Sequence, residues 1–252
     1  MAGLQARRPG AVVTGGSRGI GAAVAVALAS DGYDVVLSYR SRADQAAVVV
    51  TVCESRGVHA VAVCADAGTA EGLAELFRAA DTHLLQLHLL VNNAGVLPPA
   101  ATIDGIDRER AMGLMATNAV GPLLHAREAV RRMSTATGGS GGVIVSISSR
   151  AAVRGAAGEF LDYAMSKAAV DIMTVGLAQE VADHGIRVVG VRPGLIDTDM
   201  NSDQPGRVER LLSTVPLQRV GTAQEVAEAV RWLASPAAGY ITGVTLDVSG
   251  GR

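Results

Sequence analysis

Ala11-Val12-Val13-Thr14-Gly15-Gly16-Ser17-Arg18-Gly19-Ile20-Gly21 decides how this chain folds. Three apolar residues make a short strand. A glycine-rich turn follows, then an alanine- and valine-rich helix to about Ala29. Strand, glycine turn and helix form a phosphate-binding layout. Glycines let the backbone approach a pyrophosphate, and the helix start supplies N–H groups and a positive dipole end. The spacing is T-G-x-x-x-G-x-G rather than G-x-G-x-x-G, so its place between a first strand and a first helix carries the reading.

The same alternation continues outward. Residues 34–37 read as a second strand ending in Ser38-Tyr39-Arg40-Ser41-Arg42. In dinucleotide sites an acid here binds the ribose 2′-OH of NAD, whereas an arginine accommodates the 2′-phosphate of NADP. Arginine stands here, and Arg18 can reach the same phosphate. The expected cofactor is NADP(H), with some NAD(H) use; the plainer alternative is a solvated basic loop. Gly15, Ser17, Arg18, Gly19, Ile20 and Gly21 with Ser38, Tyr39 and Arg40 are the expected cofactor-binding residues of this half. A helix over 43–56 and a strand over 58–64 follow. Asp66 either hydrogen-bonds the adenine or belongs to the N-cap region of a helix over 69–80, two readings of equal weight.

A fourth strand, 87–91, ends in Asn92-Asn93-Ala94-Gly95, which holds two of the chain's four asparagines. Ligands bind at such carboxyl edges in open α/β sheets, although Asn and Gly also suit a tight turn. A helix over 107–117 runs into Asn118-Ala119-Val120-Gly121-Pro122. Pro122 has no N–H, so the Asn118 carbonyl is expected free at a kink, able to hold a water. A fifth strand, 143–147, ends in Ser148-Ser149, where a serine hydroxyl can meet a substrate oxygen or merely cap the turn. Glu159 and Asp162 read as solvated loop charges, with contact to polar substrate groups the alternative.

Asp162-Tyr163-Ala164-Met165-Ser166-Lys167 opens a helix to about Asp183. Tyr163 and Lys167 share a face at i, i+4. An ammonium near a phenol favours the phenolate and so makes tyrosine a usable acid and base. Lys167 is the only lysine, although lysine and arginine together number 22. A compact amine is not replaced by a guanidinium. A sixth strand, 187–191, ends at Pro193-Gly194-Leu195-Ile196-Asp197-Thr198. Residues 195–217 are mixed and polar, the pattern of a substrate lid. A helix capped by Thr222 and a last strand, 244–248, complete the alternation. It implies an α/β fold: one Rossmann-type doubly wound parallel sheet with helices on both faces, in a single domain over 1–252 with a loose lead at 1–9.

Composition bounds the partners. A net charge of −2 and 49% hydrophobic residues suit a packed core and predict no non-specific hold on nucleic acid or membrane. No apolar run approaches a membrane span, and Arg7-Arg8 runs into Pro9-Gly10 rather than a signal-peptide core. Cys53 and Cys64 lack metal-ligand spacing, so no metal is expected; both read as small buried hydrophobes in a reducing cytoplasm.

Thr14-Gly15, Gly19 and Gly21, Asn92-Asn93-Ala94-Gly95, Asn118, Ser149, Tyr163 with Lys167, and Pro193-Gly194 with Thr198 together resemble the short-chain dehydrogenase/reductase family, over nearly the whole chain. Residues 35–42 are similar to bacterial glucose dehydrogenases, and length and motif order to 3-oxoacyl-carrier-protein reductases. The resemblance implies hydride transfer between nicotinamide C4 and a carbonyl or secondary alcohol carbon of a small-molecule substrate. It makes Tyr163 the general acid in reduction and base in oxidation, and Lys167 the holder of the nicotinamide ribose. Ser149 orients the substrate oxygen, and Asn118 anchors a relay water behind Lys167. Asn92, Ala94, Gly95, Pro193, Gly194, Ile196 and Thr198 are placed against the cofactor, with Thr198 and the backbone near Ile196 on the carboxamide. It also implies a homotetramer or homodimer. One departure stands out: the family's serine lies thirteen residues before the tyrosine, which here is Arg150. Ser149, one residue further back, keeps the strand-end position, with Ser148 the alternative. The readings left are an NADPH-dependent ketoreductase, a sugar or polyol dehydrogenase, and a non-catalytic NADP(H)-binding regulator.

Overall fold

Strands buried on both faces need apolar residues, and the inner strands of this chain are such runs, whereas the strands at the two edges are partly exposed. The computed structural model describes residues 8–202 and 206–252. The strands are β1 (Gly10–Val13), β2 (Asp34–Tyr39), β3 (Ala60–Cys64), β4 (Leu87–Asn92), β5 (Gly142–Ile147), β6 (Ile186–Pro193) and β7 (Thr245–Val248). They form one sheet in the order β3-β2-β1-β4-β5-β6-β7, and each neighbouring pair is parallel. The chain leaves β1 toward one edge, then returns to build the other half from β4. The crevice beyond the carboxyl ends of β1 and β4 is therefore the topological switch point.

Side-chain alternation divides the core. Ala11, Val13, Leu37, Leu89 and Val145 face α1 (Gly19–Ser30), α2 (Ala43–Glu54) and α10 (Ala223–Ala234). Val12, Val36, Leu90, Ile144 and Val188 face α3 (Ala70–His83), α5 (Gly121–Met133) and α7 (Leu161–Val181). The short elements are α4 (Arg108–Met115), α6 (Ala151–Arg154), α8 (Asp199–Ser202) and α9 (Arg207–Leu212).

Several expectations are corrected. β3 begins at Ala60 rather than 58. Where a kink with a free Asn118 carbonyl is expected, a π turn, Ala116–Val120, joins α4 and α5; the Gly121 N–H bonds the Ala116 carbonyl, and Pro122 enters at the head of α5, where a missing N–H costs little. Cys53 is buried but Cys64 is exposed, its Sγ 3.6 Å from the Arg40 carbonyl oxygen, because it ends an edge strand. Residues 195–217, expected to form a substrate lid, hold α8 and α9; Pro205, and residues 1–7 of the expected lead, lie outside the described residues. Among the described residues, no helix is long and apolar enough to cross a membrane, and no group of three or more potential metal ligands occurs.

Candidate active site

A cavity of about 570 Å³ opens along the carboxyl ends of the strands, lined by residues from both halves of the sheet. At one end lies the turn after β1. Gly15 and Gly19 have φ of 63° and 54°, backbone that favours glycine. A Cβ on Gly21 would sit 2.3 Å from the Gly15 carbonyl oxygen, and one on Gly15 2.9 Å from Ala94 Cα. The turn is laced to its neighbours: Gly15 N–H donates to Ser38 Oγ at 3.1 Å, and Asn93 and Ala94 N–H donate to Thr14 Oγ1, both at 2.9 Å. α1 then starts at Arg18 with no side-chain cap and no acid in its first turn. Its amide groups and dipole thus suit an anion.

Ser17, Arg18, Ile20, Ser38, Tyr39, Arg40 and Asp66 all line this end. Arg18 pairs with Asp199 of α8 at 3.0 Å, whereas Arg40 and Arg42 form no ion pair among the described residues. Asp66 Oδ1 accepts the Gly68 N–H at 2.9 Å, and Thr69 is the N-cap of α3, so the carboxylate is a turn-former that also faces the cavity. Asn92 is corrected. It is not part of the lining: its side chain turns inward, 3% of the residue is exposed, and Nδ2 donates to the Pro122 carbonyl at 3.0 Å.

At the other end α7 presents Tyr163 and Lys167. Lys167 Nζ stands 5.9 Å from the Tyr163 ring centroid and donates to the Ile147 carbonyl at 2.8 Å. Lys167 is 4% exposed, and that burial pushes its ammonium down to about 8, against the opposing pull of Asp171. Asn118 lies behind the wall, fully buried; Nδ2 donates to the Val96 carbonyl and Ser166 Oγ, and Oδ1 accepts the Val96 N–H. A Cβ on Gly95 would lie 3.4 Å from both Asn118 Oδ1 and Lys167 Nζ, so the glycine leaves the gap through which these groups approach.

The two serines differ. Ser148 is buried and its hydroxyl donates to the Lys167 carbonyl at 3.1 Å. Ser149 is half-buried in the lining, and its Oγ accepts the Ala151 N–H at 3.1 Å, which leaves its own proton to give. Arg150 is turned to Asp247 and the Arg252 carbonyl. Pro193, Gly194, Ile196 and Thr198 form the floor, with Thr198 Cγ2 against Gly19.

Two charges read as solvated are paired. Glu159 meets Arg210 of α9 at 2.6 Å, and Asp162 is buried against Arg110 of α4 at 2.7 Å. Arg110, Arg210 and Asp199 escaped the sequence reading, since residues this far apart share no period. Apolar Val96, Leu97, Phe160, Leu195 and Leu211 line the same end as Tyr163.

A family model described as enoyl-(acyl carrier protein) reductase matches residues 15–252. The chain is 46% identical over 244 residues to the uncharacterized oxidoreductase YgfF of Escherichia coli, covering 96% of this chain and 99% of that one. It is 36% identical over 242 residues to a 3-oxoacyl-[acyl-carrier-protein] reductase of Synechocystis, covering 96% and 95% of the two chains. A solved short-chain dehydrogenase from Burkholderia cenocepacia, in complex with NADP, superposes with a TM-score of 0.90 at 35% identity, covering 98% of each chain.

Proposed function

Since the chain belongs to the short-chain dehydrogenase/reductase family and is an oxidoreductase, we propose that it reduces a ketone of the 3-oxoacyl type with NADPH, and runs the reverse oxidation with NADP. The observation that carries this is Lys167, whose Nζ stands 5.9 Å from the Tyr163 ring centroid and meets Asn118 Oδ1 in the gap at Gly95. The glycine cradle, the uncapped head of α1 and the arginines after β2 fit a phosphorylated dinucleotide. When bound, the nicotinamide supplies or takes the hydride.

The chain's own residues handle the oxygen and its proton. Ser149 donates a hydrogen bond to the carbonyl oxygen and orients it. Tyr163 gives its phenolic proton to that oxygen as charge builds there, and takes it back in oxidation. Lys167, charged at neutral pH and held by the Ile147 carbonyl, stabilises the phenolate left behind. Asn118, locked by its bonds to Val96 and Ser166, holds the back of this route in place. Apolar walls beside Tyr163 favour an acyl or alkyl ketone over a sugar, whose hydroxyls need polar partners. An intact Tyr163, Lys167 and Asn118 argue against a binding-only regulator, which needs no proton donor.

A cytoplasmic homotetramer or homodimer is proposed with it. Leu123 on α5, Met165 and Ile172 on α7, and Tyr240 and Leu246 at the tail are exposed apolar residues that a partner copy would cover; light scattering gives the mass. For the activity, NADPH and NADH consumption is followed with β-ketoesters, diketones and keto-sugars. Faster turnover of NADPH with β-ketoesters is expected. Turnover of keto-sugars alone, or an equal rate with NADH, overturns the substrate or the cofactor part respectively.

A further inference from the structure

Arg110 lies on α4, outside the set of residues that meets cofactor or substrate. Its Nε donates to Asp162 Oδ2 at 2.7 Å, Nη2 reaches Oδ1 at 3.4 Å, and Nη1 donates to the Pro99 carbonyl at 2.8 Å. The Asp162 side chain is 2% exposed and that of Arg110 18%. Asp162 stands in the first turn of α7, and its Oδ1 also accepts the N–H of Tyr163 at 2.9 Å. Pro99 belongs to the loop after β4, whose Val96 and Leu97 line the cavity. That loop already touches the entrance to α7, for Ala101 N–H donates to the Glu159 carbonyl at 2.8 Å. One planar guanidinium thus ties three pieces together: α4, the cavity wall and the helix turn that carries Tyr163.

Such a pair is poorly explained by stability alone. The cost of taking two charges out of water offsets much of their attraction, and apolar residues of similar size often do as well. What the pair does supply is fixed geometry, because a guanidinium fork meets a carboxylate in few orientations. It also supplies charge balance. A bare carboxylate next to Tyr163 would disfavour the phenolate. Burial alone would push the Asp162 carboxyl up, yet the Arg110 hydrogen bond and the Tyr163 N–H hold it below the usual carboxylate range.

We infer that Arg110 and Asp162 are positioning residues for Tyr163, a clamp that sets the place of its hydroxyl and screens it from a neighbouring negative charge. This rests on the reading of Tyr163 as the proton donor and acceptor. The other charged groups facing this corner are Asp107 at the head of α4, which accepts the Arg110 N–H; Glu159 with Arg210; Arg154 on α6; Lys167; and, one turn deeper, Asp171 with Arg192 of β6. None of them is altered by the substitutions below.

The test compares the full-length protein with Arg110→Gln, Arg110→Lys and the double variant Arg110→Gln/Asp162→Asn. Each is checked for folding by circular dichroism. Phenolate absorbance is titrated against pH as the difference from a Tyr163→Phe protein, a readout that needs no substrate. The Tyr163 midpoint is expected to rise in Arg110→Gln and to return in the double variant, where the charge is gone. The kcat of both Gln-containing variants is expected to fall by about 10- to 100-fold, the cost of a misplaced group, with cofactor KM within about twofold. Arg110→Lys, which keeps the charge but loses the fork, should hold the midpoint and lose part of the rate. An unchanged midpoint in Arg110→Gln, or wild-type kcat in the folded double variant, overturns the clamp. Should Arg110→Gln fail to fold, the double variant, free of the buried charge, decides. Absence of turnover in the wild-type protein would count against the proposed function, while the phenolate titration would still judge the clamp.

Discussion

The heads of α1 and α7 face one cavity and are built in opposite ways. Neither N-cap side chain, Arg18 of α1 or Phe160 of α7, accepts a helix N–H, but α1 has no acid in its first turn and has Gly15 and Gly19 at positive φ. α7 begins with a buried carboxylate locked by Arg110 and accepting the N–H of Tyr163. The dipole favours negative charge at both heads. In α7 the protein supplies that charge itself; in α1 it leaves the place to a ligand's phosphates. A satisfied helix start is a mount for a side chain, and an unsatisfied one is a receptor.

The largest effect that sharpens this contrast is at α7. Tyr163→Phe should lower kcat by about 10²- to 10⁴-fold, the usual worth of a general acid, while NADPH affinity, measured by fluorescence titration, changes less than about twofold. Parallel loss of affinity would show that the two heads are not separate devices. Next comes the converse. Arg18→Asp gives α1 the acid cap it lacks, worth about 0.5–2 kcal/mol of stability, and takes a cation from the phosphates. Tm should hold or rise while NADPH binding weakens by about 10- to 100-fold, the range of a lost charge-assisted bond. Unchanged affinity would mean the head of α1 is no receptor.

A smaller effect concerns Lys167. Its folded pKa, about 8, lies below the unfolded value of 10.5. Between these pH values the unfolded chain binds more protons, so stability should rise with pH, by at most about 1.4 kcal/mol per pH unit. Below pH 8 both states are protonated and the lysine contributes no slope. Denaturant melts from pH 7 to 10 should show the rise in wild type and lose Lys167's contribution in Lys167→Met; identical slopes would place the ammonium in water. The smallest effect is at α9. Arg210 is exposed and Glu159 partly so, so Arg210→Ala should cost under about 1 kcal/mol of stability and raise substrate KM only a few-fold. A collapse of kcat there would make α9 part of the chemistry.

The inner strands could be read because burial on both faces writes them as apolar runs, and the glycine turn and the Tyr163–Lys167 spacing are local patterns. Alternation, carried one residue further, also explains Asn92: it shares a face with Leu90, toward α5, and so could not face the cavity. The π turn was half legible. Pro122 announced a break, but a bond from Gly121 to Ala116 depends on how α4 and α5 pack. Arg110 and Asp162 left no trace, since residues on separate helices meet only once the sheet has set those helices side by side. Asp162 looked like a loop charge for the same reason. Cys64 reads as buried in the sequence but is exposed, because strand order, not sequence, decides which strand is an edge.

The order β3-β2-β1-β4-β5-β6-β7 also governs how the molecule assembles in time. The strand that completes the centre of the sheet, β4, is made only after β2, α2, β3 and α3 have been synthesised. Until it arrives, β1 can pair with β2 but presents its other edge unpaired. Closing that long loop costs entropy before any reward, which makes such pairing slow. During this interval a nascent chain exposes the edge of Gly10–Val13, all of it destined for the interior, as a template for another chain's strand. The placement that forms the cofactor crevice in the finished protein is thus also what makes the unfinished one need protection from its neighbours.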